Sequence, residues 1–383
     1  MSVTPQHVLV LGGGIGGQVA ATRLAERLGP RARVRLVERA PAYTFPPSLL
    51  WLMVGGRTAP AITRDYSRLR RRGVEVTQAS VESVDPDAST VLTNQGSLPY
   101  DYLVIALGAT PDRAALPGVA EYAHDPYDLP AAERLREALS TFGGGRVLVA
   151  VASLPYKCPA APYETAMLID GFLRQRGLRE RSEISVYTPE PLPMPVAGPY
   201  VGHNVAAELA ARSIGFFPAS QVDGLTAGVM RTSRGEVPFD MAVVIPPHRP
   251  PQAVAASGLT GPTGWLAVDR HTLRTRASNV YAIGDAVAIP LENGMVLPKA
   301  GVFAHAEAEV VARNVTAQVT DDHSEAIFDG HGMCFLETGG GKAGLASGNF
   351  YASPRPEVSM RRPSRAWHGG KVAFEQYWMR RWL

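Results

Sequence analysis

The chain holds only two cysteines, Cys158 and Cys334, and these are the first residues whose chemistry asks for an explanation. Two cysteines in 383 residues cannot staple a fold, and in a cytoplasmic protein a pair of thiols is more often catalytic or metal-binding. Metal is the weaker branch. Neither cysteine has a Cys-x-x-Cys partner, and His331 is a lone candidate ligand beside Cys334, so no metal is expected. Cys158 lies in ASLPYKCPAAPYETAMLID, residues 152–170, where an extended run, RVLVAVA, passes into a helical pattern. Pro159 suits an early helical position and Lys157 is the neighbour on the other side. A helix N-terminus and a cation both favour the thiolate, the nucleophilic form of sulfur. The bland alternative is a small buried hydrophobe; the strand-to-helix location, where open α/β sheets bind ligands, favours a redox role.

A second group of residues is built for a phosphate. VLVLGGGIGGQVAATRLAERL supplies Gly12, Gly14 and Gly17 in G-x-G-x-x-G spacing, directly after a strand pattern and opening an amphipathic helix. These glycines permit a tight turn and close backbone approach, so that free N–H groups at the helix start face a pyrophosphate. Glu38 ends the next strand pattern, where a carboxylate can accept hydrogen bonds from a ribose. Strand, turn, helix and acid together point to a dinucleotide site rather than to a turn serving packing alone.

The elements that must position these residues are legible from hydrophobic runs. Strand signals fall at 7–12, 33–38, 102–107, 146–152, 184–188, 241–245 and 279–283, several followed by helical patterns. Short apolar runs alternating with helices indicate parallel sheets covered on both faces. Between 74 and 100, polar-alternating segments around DPDA read as an antiparallel meander. The pattern restarts near 143, as a second α/β unit inserted into the first would. The expected fold is α/β: two Rossmann-like dinucleotide-binding domains, the second inserted in the first, plus a C-terminal helical segment facing membrane or quinone. The expected divisions are 1–112 with 259–320, then 113–258 and 321–383.

The second unit has lost its own phosphate turn. No glycine occurs between Arg146 and Gly171, and prolines with other Cβ-bearing residues would keep the backbone from cradling a pyrophosphate. A nicotinamide donor is therefore not expected.

Two further segments resemble the signatures of the two-dinucleotide-domain flavoproteins: YDYLVIALGATP, ending at Pro111, and NVYAIGDAVAIP, residues 279–290. The resemblance implies FAD, with Ala106, Gly108, Gly284 and Asp285 added to the cofactor-binding residues and Asp285 on the flavin ribityl chain. A helix N-cap is the structural alternative for Asp285. Within those flavoproteins, Cys-Pro-x-x-Pro-Tyr-Glu at 158–164, LPKAG at 297–301 and the late Cys334 resemble sulfide:quinone oxidoreductase and the flavoprotein subunit of flavocytochrome c sulfide dehydrogenase. That resemblance implies sulfide attack on a bridged Cys158–Cys334 pair, a persulfide on one cysteine and a thiolate on the other, expected to be Cys334. It further implies that two electrons reach FAD and then a quinone. Glu164 becomes a candidate proton carrier and Lys299 a residue facing flavin or quinone; an ordinary dipole-stabilising glutamate and a solvated lysine are the alternatives.

The tail from Arg361 onward carries Trp367, Lys371, Phe374, Tyr377, Trp378 and Trp382 near helical spacing, rimmed by Arg361, Arg362, Arg365, Arg380 and Arg381. Such a helix suits a membrane interface, and a capping helix over the flavin domain is the alternative. Phe45 stands where the flavocytochrome branch would carry its flavin-attaching cysteine, so FAD is expected to be non-covalent. The N-terminus shows no export signal, no apolar run is long enough to span a bilayer, and a net charge of +3 is too mild to argue for nucleic acid. The expectation is a cytoplasmic, membrane-peripheral enzyme using sulfide and quinone, with a homo-oligomer left open. Two other readings stand beside it: a type II NADH:quinone oxidoreductase, and an FAD-bound subunit passing electrons to a protein partner. GGGK at 339–342 lacks the glycine spacing and the following Ser or Thr of a phosphate-binding P-loop.

Overall fold

A computed structural model describes residues 4–382. The first apolar run forms the strand Gln6–Leu11, whose Val8, Leu9, Val10 and Leu11 are all buried. It lies at the centre of a five-stranded parallel sheet, between Ala32–Glu38 and Tyr102–Ile105, with Val74–Gln78 and Val280–Ala282 at the edges. Burial on both faces is why these strands read as unbroken apolar runs rather than alternating ones. The helix Ile15–Leu28 covers one face through Val19, Leu24 and Leu28 and packs along the helix Gly301–Val319.

A second, four-stranded parallel sheet has the order Ile214–Phe217, Ser182–Tyr187, Gly145–Val151, Met241–Ile245. Its strand Gly145–Val151 delivers the chain to Cys158, and the helix Ala161–Gln175 returns along the sheet. Each parallel sheet has a three-stranded antiparallel meander in the same part of the chain, at 81–99 and at 222–238. The expected meander at 74–100 is thus shorter at its start, because Val74–Gln78 has joined the parallel sheet beside Ala32–Glu38. The second meander was not visible in the pattern of apolar runs.

The region after 320 holds more than the expected helical tail. It holds a three-stranded antiparallel sheet, His331–Glu337, Ala343–Asn349 and Glu357–Ser364, before the helix Arg365–Arg381. GGGK is the turn of its first hairpin: Gly339, Gly340 and Gly341 take φ of +75°, +60° and +69°, a left-handed run that side chains disfavour. A Cβ on Gly339 would come within 2.5 Å of the Met167 carbonyl oxygen, so the turn is seated on the helix that follows Cys158. This hairpin is what carries Cys334 to the second domain. Among the described residues, no helix is long and apolar enough to cross a membrane.

Candidate active site

The dinucleotide site assembles at the carboxyl ends of the first sheet's strands. Gly12 has φ +97°, and a Cβ there would lie 2.4 Å from the Ala106 carbonyl oxygen. A Cβ on Gly17 would fall 1.8 Å from the Gly12 oxygen, so helix and strand touch through this glycine. Gly14 caps the helix N-terminus and faces open space. Glu38 accepts hydrogen bonds from the Gly13 N–H at 2.6 Å and the Ala40 N–H at 2.8 Å, which aims its carboxylate over the turn. Ala106 and Gly108 follow the neighbouring strand Tyr102–Ile105, and Ala106 borders the same turn.

On the far side of the turn, Gly284 at φ +70° donates its N–H to Glu307 at 2.6 Å. Asp285 sits in a single 3-10 turn and does not cap the helix Gly301–Val319, whose N-cap is Ala300. Its buried Oδ1 has no hydrogen-bond partner within the protein, and burial holds its carboxyl above the usual range despite Lys157 and Lys299. An orphaned buried acceptor, two glycines with no room for a Cβ and an open helix N-terminus fit the ribityl and pyrophosphate portions of FAD. When bound, FAD supplies a two-electron acceptor.

Lys299 is buried, and its Nζ donates to the carbonyls of Asp285 and Val287, each at 2.8 Å, beneath the ring of Trp265 at 3.5 Å. Burial lowers its pKa to about 8 and raises that of Glu307 to about 7. These two residues line a small cavity with Gly284, Pro298, Ala300 and Phe303.

The same Pro298, Ala300 and Phe303 also form one wall of an apolar cleft of about 500 Å³, counting its open mouth. Cys158 and Cys334 both open onto this cleft, with Met194, Val196, Met333 and Phe350 around them. Both are free thiols. Cys158 is held at φ +58°, a conformation that costs energy for any residue but glycine. Its N–H donates to the Lys299 carbonyl at 2.7 Å, and its own carbonyl accepts from Ala161 at 2.8 Å. The residues flanking the sulfur are therefore pinned to LPKAG on one side and to the helix start on the other.

The expected thiolate is not what this environment favours. Burial pushes Cys158 well up, with Glu164 and Cys334 adding to it, and raises Cys334 to about 12, with Glu164 adding again. Lys157 does not serve the thiol: its Nζ points to the Ala109 carbonyl and over the Tyr127 ring at 5.6 Å, away toward Asp285. The cation that does bear on both thiols is Lys371, from the C-terminal helix.

Glu164 lies in the first turn of Ala161–Gln175 and is buried. Its Oε1 accepts from Lys371 Nζ at 3.1 Å and from the Glu337 N–H at 2.8 Å. Burial works against the charge on Lys371, and Glu164 with Glu337 more than restores it, so its pKa is raised. Lys371 also lies 4.9 Å over the ring of Trp51. The sequence held Lys371 only as one polar position on a tail helix; its helical spacing from Trp367 and Glu375 was the available signal. On that helix Trp378 and Trp382 are buried, both edge-on to His305, and Trp378 lies 6.0 Å from Phe45, whereas Phe374 and Tyr377 remain exposed. One face of the tail therefore caps the first domain and the other is left outside.

In the second domain, the acid just beyond the strand Ser182–Tyr187 is Glu190. Its carboxylate is buried and accepts from Tyr163 at 2.9 Å, Tyr156 at 3.0 Å and Thr188 at 3.2 Å. Where Glu38 in the first domain accepts from the backbone of the glycine turn, Glu190 here accepts from tyrosine hydroxyls of the Cys158 segment.

Residues 6–309 match the model of the pyridine nucleotide-disulphide oxidoreductase family. The chain is 26% identical to the mitochondrial sulfide:quinone oxidoreductase of Mus musculus, across 91% of this chain and 79% of that one. It is also 26% identical to the sulfide-quinone reductase of Aquifex aeolicus, across 98% and 90% of the two chains. The crystal structure of the sulfide:quinone oxidoreductase from Aquifex aeolicus superposes with a TM-score of 0.88 at 25% identity, covering 98% of this chain and 91% of that one. The resemblance read from the Cys158 segment and the flavoprotein signatures is borne out. The chain belongs to the pyridine nucleotide-disulphide oxidoreductase family and is an FAD-dependent oxidoreductase.

Proposed function

We propose that this protein oxidises sulfide through Cys158 and Cys334 and delivers the electrons by way of FAD to a quinone. The observation that carries the reading is that both thiols open onto one apolar cleft whose wall, Pro298 to Phe303, is shared with the cavity beside Gly284 and Lys299. The names and coverage of the relatives support the substrate pair.

The chemistry of the chain is thiol exchange. With the two sulfurs joined, hydrosulfide attacks one of them: a new sulfur–sulfur bond forms, the old one breaks, and the products are a persulfide on Cys158 and a thiolate on Cys334. Rejoining persulfide and thiolate as a longer sulfur bridge releases two electrons and one proton. The apolar lining excludes water from the growing sulfur chain. Glu164, whose charge reaches both thiols, accepts the proton at Oε1, the oxygen to which Lys371 Nζ donates at 3.1 Å. Lys299 fixes Cys158 through its backbone and the Asp285 turn through its ammonium.

The second domain's buried Glu190, already satisfied by three hydroxyls, supports the absence of a nicotinamide donor. We further infer that the chain divides at 1–112 with 259–320, 113–258 and 321–383, the outermost residues 1–3 and 383 lying outside the described structure. The exposed Phe374, Tyr377 and Arg380 edge of the tail is the surface by which a membrane quinone would be reached. Purified FAD-loaded protein should reduce a short-chain ubiquinone analogue when sulfide is supplied. Quinone reduction at the uncatalysed rate would remove the proposal.

A further inference from the structure

Four titratable side chains line up from the thiols to the surface, and the outer two have no part in the chemistry above. Glu337 ends the strand that carries Cys334 and is buried. Its backbone N–H is held by Glu164, and its carboxylate turns the other way, toward the C-terminal helix. There it meets His368 Nδ1 at 3.0 Å through Oε2 and Lys371 Nζ at 3.9 Å through Oε1. His368 and Lys371 are one turn apart on that helix and both rest on Trp51, His368 edge-on at 5.7 Å. Lys371 is buried among these groups, whereas the His368 side chain keeps 32% of its surface exposed.

We propose that Glu337 and His368 are the outer half of a proton path joining the buried thiol cleft to solvent, an inference that rests on the thiol chemistry proposed above. Each turnover of that chemistry frees one proton inside an apolar cleft, and the carboxylate whose charge reaches both thiols, Glu164, is itself out of water. A proton arriving at Glu164 Oε1 passes to Lys371 as the ammonium gives one of its own to Glu337. Glu337 then hands it to His368, whose other ring nitrogen releases it to water. Loss of the proton leaves the S–H electron pair on sulfur; the two electrons released when the sulfurs rejoin go to the flavin and do not travel this path. From Glu164 outward one link exceeds hydrogen-bond length, the 3.9 Å from Lys371 to Glu337, and a shift of the flexible ammonium by roughly 1 Å closes it. Burial and Glu164 raise the Glu337 carboxyl while Lys371 and His368 lower it, which keeps it able to take and give a proton. The charged groups facing Glu337 are Glu164 from the helix Ala161–Gln175 and Lys371 and His368 from Arg365–Arg381. Arg57 lies over the same Trp51 ring, already committed to Glu375. His368 acts through Glu164 and never touches sulfur, so it is a positioning and relay residue.

The test is anaerobic sulfide reduction of the FAD-loaded wild-type, H368A and E337Q proteins, followed across neutral pH in dilute buffer with and without imidazole. The path predicts that H368A slows flavin bleaching about tenfold or more, and that imidazole restores it by replacing the lost ring. E337Q should be slow and not restored, because the missing link lies inside. An H368A protein with the wild-type rate and pH profile, or one that imidazole fails to restore, overturns the path. A wild-type flavin that sulfide does not bleach at all instead overturns the thiol chemistry, and the path with it. FAD content and melting temperature check each fold. Should H368A lose FAD, H368Q, which keeps bulk and a donor toward Glu337, is measured by the same criteria.

Discussion

Lys371 Nζ stands 3.1 Å from Glu164 Oε1, a buried ion pair between residues 207 positions apart that ties the C-terminal helix to the helix of Cys158. Breaking such a pair leaves an uncompensated charge out of water. Lys371→Met should therefore cost about 3–5 kcal/mol of stability, read as a fall in the urea unfolding midpoint with the slope m unchanged. K371R, which keeps the charge, should lose less. Equal stability of K371M and wild type would mean that the pair contributes nothing to holding the tail.

The glycine turn makes a paired prediction. Gly17→Ala places a Cβ against the Gly12 carbonyl and should abolish FAD retention, measured as the flavin-to-protein absorbance ratio. Gly14→Ala meets no protein atom within 4 Å, so the protein should fold with unchanged melting temperature when stripped of flavin. Its FAD affinity should nevertheless fall, because the pyrophosphate approaches that position. Full FAD content in G17A would contradict the placement of the cofactor.

Much of this was readable before any coordinates. Gly12, Gly17 and Glu38 were legible because phosphate binding needs local backbone geometry, which spacing encodes directly. Cys158 was legible for the same reason, sitting at a strand-to-helix junction. What its sulfur experiences was not: Lys157, adjacent in sequence, turns toward Asp285, and the ionisation of the thiol is set by burial and by residues from distant elements. The sheet at 331–364 was missed because its strands carry no clean apolar run or alternation: AGLASGN and EVSMRRPS hold few large apolar residues, and in HGMCFLE Met333 is exposed while Cys334 and Phe335 are only partly buried. Lys371 stood among tail residues at helical spacing suited to a membrane interface or a cap, and only the fold brings it to Glu164 and Glu337.

The two raised thiols predict an alkaline weakness. A thiol whose folded pKa lies above its unfolded value stays protonated in the native state while the unfolded chain ionises. Stability is then complete below about pH 9 and falls as pH rises toward about 12, the value to which burial carries Cys334. Melting temperature measured between pH 8 and 11 should fall more steeply for wild type than for C334A. Parallel curves would show that Cys334 is not held neutral by burial.

NADH should leave the flavin oxidised over seconds to minutes under anaerobic conditions. The segment after Gly145–Val151 offers no glycine cradle, and Glu190 is committed to Tyr156, Tyr163 and Thr188. Rapid bleaching by NADH would favour the type II NADH:quinone oxidoreductase reading.

The most direct measurement is anaerobic stopped-flow mixing of sulfide with FAD-loaded wild type, C158S and C334S, monitored at the flavin absorbance band. The two thiols share one cleft beside the dinucleotide site, and the account predicts fast bleaching in wild type and loss of it in each serine variant with FAD retained. A flavin that stays oxidised in wild type, or bleaches equally in C158S and C334S, would contradict it.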